Sequence, residues 1–96
     1  MIAILLADDH PQLMKSLKYL FEAAEDTCVV ATAGNGSEAV VQANRYYPDV
    51  AVLDISMPIM NGIEATRQIR TGSPNTSVVI LSIHDSPLYI KAALDA

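Results

Sequence analysis

The sequence predicts an α/β domain: a parallel sheet with helices on both faces. Three observations predict it. Short apolar runs alternate with amphipathic stretches in the order βαβαβαβα. The apolar runs are continuous, as in strands buried on both faces. The connections are short and carry Gly, Pro, Asn and Ser.

Each element has a local reason. Residues 2–7, IAILLA, form the first apolar run. His10-Pro11 opens a helix, because proline is favoured at the first helical position. Leu13, Leu17, Leu20, Phe21 and Ala24 then recur at helical spacing, with Lys15, Lys18 and Glu22 off that stripe. CVVATA at 28–33 is the second strand, and Asn35-Gly36-Ser37 is a turn and cap for a helix to about Tyr46, which Pro48 ends. DVAVLD at 49–54 is the third strand, and Asn61-Gly62 starts a helix to about Arg70. TGSPNT is a loop, SVVILS at 77–82 a fourth strand, and Ser86-Pro87 caps a last helix over 88–95. That helix stops at Ala96 with no cap, Gly or Pro behind it, so the expectation is a chain cut short or completed by a partner.

Composition narrows the function classes. At 96 residues the chain is one domain, and 51% hydrophobic with 18% charged residues argues for a packed core rather than disorder. A net charge of −5 with six scattered Lys and Arg excludes unaided binding to a nucleic-acid backbone and suits cations or basic protein surfaces. The single cysteine, Cys28, rules out an internal disulfide and reads as a small buried residue on a strand. MIAILLADDH has no basic region ahead of its apolar run and is too short to span a bilayer, so the chain reads as cytoplasmic.

The chemistry lies in the acids. In AVLDISMPIMNG, 51–62, an apolar strand ends on Asp54, and Met-Pro and Asn-Gly break the chain directly after it. A charge there is costly unless paired. Strand one ends on the acids Asp8 and Asp9. Ligands of open α/β sheets bind at the carboxyl ends of the strands, so if strands one and three are neighbours, three carboxylates meet at one edge. They would repel, and a bound Mg²⁺, which prefers oxygen ligands, would resolve that. Each acid alone has a plainer reading: Asp8 or Asp9 as a helix cap, Asp54 as a turn acid. Ser82, at the end of strand four, reads alone as a buried hydroxyl bonded to backbone; His10 follows the acidic pair and could lie near the site, but reads first as a plain helix-start residue.

Taken together, ADDH at 7–10, VLDISMPIMNG at 52–62 and VVILS at 78–82 resemble the receiver domain of bacterial response regulators. MPIMNGIEATRQIR and LSIHDSPLYIKAALDA resemble the NarL/LuxR-type subgroup, which carries a helix-turn-helix output domain. The resemblance covers the whole chain, 1–96, as a receiver domain incomplete at its C-terminal side and without the DNA-binding output domain. It implies a flavodoxin-like doubly wound sheet of strand order 2-1-3-4, with the family's strand five and helix five missing.

It also implies roles. Asp54 would be the phosphoacceptor, taking a phosphoryl group from a sensor histidine kinase. Asp9 would hold Mg²⁺ directly, Asp8 mostly through water, and the Ser56 carbonyl would be a further ligand beside Asp54. Ser82 would turn inward to the phosphoryl group and bias a two-state surface that drives transcriptional output. Ser56 and His84 would tune the lifetime of the phosphoryl group. The family's site lysine on strand five has no counterpart here, since Lys91 falls on helix four. The domain would not be an enzyme beyond self-phosphorylation and autodephosphorylation. Without strand five, pairing of two chains by strand or helix exchange is expected, with no direct nucleic-acid or membrane contact. Two alternatives stand beside this: a phosphorylation-independent interaction or dimerisation module, and a small Mg²⁺-dependent phosphohydrolase, for which DISM lacks the usual second acid.

Overall fold

A computed structural model describes residues 1–81. Its elements run β1 (Ile2–Ala7), α1 (Pro11–Ala23), β2 (Thr27–Ala33), α2 (Gly36–Tyr46), β3 (Val50–Asp54), α3 (Gly62–Gly72) and β4 (Ser77–Leu81). Every expected element in this range forms, with ends shifted by one or two residues. The helix expected over 88–95 lies outside the described residues.

The strands are parallel and lie in the order β2-β1-β3-β4, as expected. Both faces of the two central strands are used. On one face Leu5, Ala7, Ala51 and Leu53 pack with Ala39 and Ala43 of α2 and Ala65 and Ile69 of α3. On the other, Ile4, Leu6 and Val52 meet Met14, Leu17 and Phe21 of α1. Leu5, Leu6, Leu53 and Ile69 are fully buried, and each contributes roughly 1.5–3 kcal/mol by leaving water. This two-sided burial is why the strands read as continuous apolar runs.

The α1 stripe needs correcting. Leu13 and Leu20 are 42% and 64% exposed, Ala24 is exposed, and no α1 residue is fully buried. The inward row is Met14, Leu17 and Phe21. The apolar arc of this helix is wider than its contact with the sheet, so the row one position round the helix stays outside. On the same sheet face as α1, Val79 and Leu81 of β4 are also largely exposed. Cys28 is on β2 as expected, but half-buried, since β2 is an edge strand among the described residues.

Helix starts are encoded locally. Asn35 and Asn61 are the N-caps of α2 and α3, and their side chains accept from the backbone N–H of Glu38 (2.8 Å) and Glu64 (3.0 Å). Tyr47, in the left-handed region at φ 45°, closes α2 by donating its N–H to the Ala43 carbonyl.

The loop from β3 to α3 is pinned at both ends. The Gly62 N–H donates to the Ile55 carbonyl (2.9 Å), and a Cβ at Gly62 would stand 2.2 Å from the Asp54 carbonyl oxygen. The Gly36 N–H donates to the Met60 carbonyl (3.0 Å), which a Cβ there would also strike. Between these anchors Ile59 adopts φ 70° while 83% exposed, a costly conformation for a β-branched residue. Two substitutions in this loop should therefore act in opposite directions. Gly62→Ala should destabilise by about 2–3 kcal/mol, because backbone must move. Ile59→Asn should stabilise by about 1 kcal/mol, because asparagine tolerates positive φ and no packing is lost. Denaturant titration of both variants checks the signs.

Candidate functional site

β1 and β3 lie side by side with Ala7 opposite Leu53. The residues that follow, Asp8 and Asp54, therefore emerge level with each other at the carboxyl edge of the sheet. The Asp8 N–H donates to the Ala33 carbonyl (3.0 Å), which extends the β1–β2 ladder by one bond and fixes where Asp8 stands. Asp8 and Asp54 are 7% and 5% exposed, while Asp9 stands further out.

Donor atoms of Asp8, Asp9, His10 and Asp54 all lie within 4.8 Å of one another. The sequence brings three of these to the edge as expected. The fourth, His10, corrects its reading as a plain helix-start residue. It does occupy the N-cap of α1, before Pro11, but its side chain makes no cap bond. Its ring turns back instead: Nδ1 stands 2.7 Å from Asp8 Oδ1, 3.1 Å from Asp9 Oδ1 and 3.9 Å from Asp54 Oδ2. The signal for this was its place directly after the two acids in the same strand-end turn. Asp8 does not cap α1: its Oδ1 accepts the His10 backbone N–H (2.8 Å), a turn bond ahead of the helix whose N-cap is His10.

The electrostatics follow from burial and like charge. Burial pushes the Asp54 carboxyl above the ordinary carboxylate range, and the charges on Asp8 and then Asp9 push the same way. Backbone N–H groups of Ser56 and Ile55 oppose this; the Ser56 N–H is a long 3.4 Å from Asp54 Oδ1. The hydrogen bond to Asp8 raises the His10 pKa most, and the charges of Asp9, Asp8 and Asp54 add to it against a small cost of burial. The arrangement is one of crowded negative charge with a basic ring laid into it.

Such a donor set fits a hard divalent cation. It offers several carboxylate oxygens at one solvent-facing edge, leaving room for water ligands. Ser56 lies in the loop beside Asp54 and is exposed. Ser82, His84 and Lys91 lie outside the described residues. No helix among the described residues is long and apolar enough to cross a membrane.

Comparison with known proteins agrees with this geometry. Residues 4–96 match the family described as the response regulator receiver domain. The transcriptional regulatory protein DegU of Brevibacillus brevis is 38% identical over 97% of this chain and 39% of its own length. The nitrate/nitrite response regulator protein NarL of Escherichia coli K12 is 37% identical over 95% of this chain and 42% of its own. A protein-glutamate methylesterase/protein-glutamine glutaminase of Nitrosospira multiformis is 38% identical over the whole chain but only 27% of its own length. The chain thus spans less than half the length of these relatives. Among solved structures, the signal receiver domain of a NarL response regulator from Mycobacterium tuberculosis superposes with TM-score 0.94 at 30% identity, covering 98% of this chain and 76% of that one. A chain from the CheX–CheY–BeF3–Mg²⁺ complex of Borrelia burgdorferi does so with TM-score 0.90 at 30% identity, covering 98% and 71%. Strand order, acidic edge and sequence similarity converge: this chain belongs to the receiver-domain family of two-component response regulators, and its relatives include NarL/LuxR-type transcriptional regulators.

Proposed function

We propose that this domain is a phosphoacceptor switch, with Asp54 accepting a phosphoryl group from a sensor histidine kinase. The observation that carries the reading is the convergence of Asp8, Asp9 and Asp54 at the carboxyl ends of two adjacent parallel strands. Asp8 and Asp9, with Asp54 and the Ser56 carbonyl, would hold Mg²⁺. When bound, that ion supplies charge neutralisation for the carboxylates and the incoming phosphoryl oxygens.

The chain's own residues supply position. Asp54 is a weak nucleophile, so orientation matters more than basicity. β1 pairs with β3 up to Leu53, β4 pairs with Asp54 itself opposite Leu81, and the Asp54 carbonyl lies against Gly62. One Asp54 oxygen attacks phosphorus, an acyl-phosphate bond forms, and the donor's bond to phosphorus breaks, its electron pair leaving with the donor. Ser82 would then turn to the phosphoryl group and shift the surface read by an output domain that regulates transcription. Ser56 and His84 would set how long the acyl phosphate survives. The exposed apolar side chains Leu13, Tyr19 and Leu20 of α1, with Val79 and Leu81 of β4, support pairing with a second chain or another protein as an accompanying role.

Intact mass after incubation with acetyl phosphate and Mg²⁺ tests the chemistry. A gain of one phosphoryl group, absent without Mg²⁺ and absent in Asp54→Asn, is expected. No gain in a chain that circular dichroism shows to be folded would sink the reading for this chain.

The charge arrangement sets a second expectation. His10 has a raised folded pKa, so its contribution to stability is full below its unfolded value of about 6.5 and is lost as the pH rises through the folded value. Asp54, also raised, acts in the same sense at lower pH. In EDTA the domain should therefore melt at a lower temperature at pH 8 than at pH 6, and less so in His10→Gln. Saturating Mg²⁺ should stabilise more at pH 8 than at pH 6, because the ligands must be deprotonated. Melting temperatures rising with pH in EDTA would contradict the arrangement.

A further inference from the structure

We infer that His10 is a nitrogen ligand of the acidic site, and that it makes this site favour nitrogen-preferring divalent ions such as Co²⁺ and Zn²⁺ over Mg²⁺. The inference rests on the reading of Asp8, Asp9 and Asp54 as cation ligands.

Geometry carries it. Around a cation with bonds of about 2.1 Å, neighbouring donors of an octahedron stand about 3 Å apart and opposite donors about 4.2 Å. His10 Nδ1 lies 2.7, 3.1 and 3.9 Å from one oxygen each of Asp8, Asp9 and Asp54. The first two match neighbouring donors and the third comes close to opposite donors, all from a single ring nitrogen to three different carboxylates. At the N-cap of α1 its side chain makes no cap bond and bonds Asp8 instead.

The ring is also free to adjust. It is 55% exposed, so a small rotation costs little packing. Its backbone N–H separately holds Asp8 Oδ1, which keeps that carboxylate oriented when the ring moves. A cation entering this edge thus meets either a ring that must leave or a ring that binds. Oxygen-preferring Mg²⁺ gains little from imidazole, whereas Co²⁺ and Zn²⁺ gain a ligand they favour. His10 therefore sets the order of preference among ions at a site whose carboxylates alone would favour hard cations.

Calorimetric titration of the full chain with Co²⁺ and with Mg²⁺, in one mildly alkaline buffer, tests this without any phosphoryl transfer. His10→Gln and His10→Ala should weaken Co²⁺ binding by on the order of tenfold or more and leave Mg²⁺ binding unchanged or tighter. Asp9→Asn should weaken both, which ties the cobalt to this cluster. Long-range ¹H–¹⁵N spectra should show the His10 Nδ1 resonance moving on addition of Zn²⁺. A Co²⁺-to-Mg²⁺ affinity ratio equal in wild type and both His10 variants would overturn the inference and leave the Mg²⁺ reading standing. So would a Nδ1 resonance unmoved by Zn²⁺, or cobalt retained in Asp9→Asn. Failure of a folded chain to bind any of these ions would overturn both.

Discussion

The acidic edge depends on the parallel pairing of β1 with β3. That pairing sets Ala7 opposite Leu53, and both strands then end on carboxylates at the same level. A slip of one residue would exchange the faces of a strand's side chains, setting Leu6 or Leu53 against a core shaped for other residues. The register is therefore held by core burial on both faces of the sheet, not by the acids. The acids use a position that the apolar residues have already fixed.

That division of labour explains how the site can carry an unfavourable charge arrangement. Asp8 and Asp54 are buried, near each other and near Asp9. Isolated in water, such groups would separate. Here the backbone holding them is closed by ladder bonds and by the close approach of Gly62 to the Asp54 carbonyl. The strain at Ile59 and the elevated pKa of Asp54 are local costs set against a core that includes Leu5, Leu53 and Ile69. Functional sites commonly store strain in this way.

His10 shows how one residue can belong to two levels of structure. Its backbone starts α1 ahead of Pro11, and its N–H orients Asp8. Its ring adds a nitrogen donor to a set of oxygens. The helix that it starts presents Met14, Leu17 and Phe21 to the sheet and leaves Leu13 and Leu20 outward. One face of α1 thus supports the fold, and another stays exposed.

The sequence by itself determined the elements and their order. Continuous apolar runs marked the strands, Pro11, Asn35 and Asn61 marked helix starts, and acids at two strand ends marked the site, because each is a local signal of period, cap or charge. Only the tertiary structure decided that His10 joins the acids, since the direction of an N-cap ring depends on what stands within hydrogen-bonding reach. It also decided which row of α1 is core: Leu13 and Met14 are neighbours in sequence, and their difference arises from where the sheet lies. The glycine contacts were equally hidden, because a missing Cβ matters only when another segment's backbone, here the Asp54 or Met60 carbonyl, occupies its space.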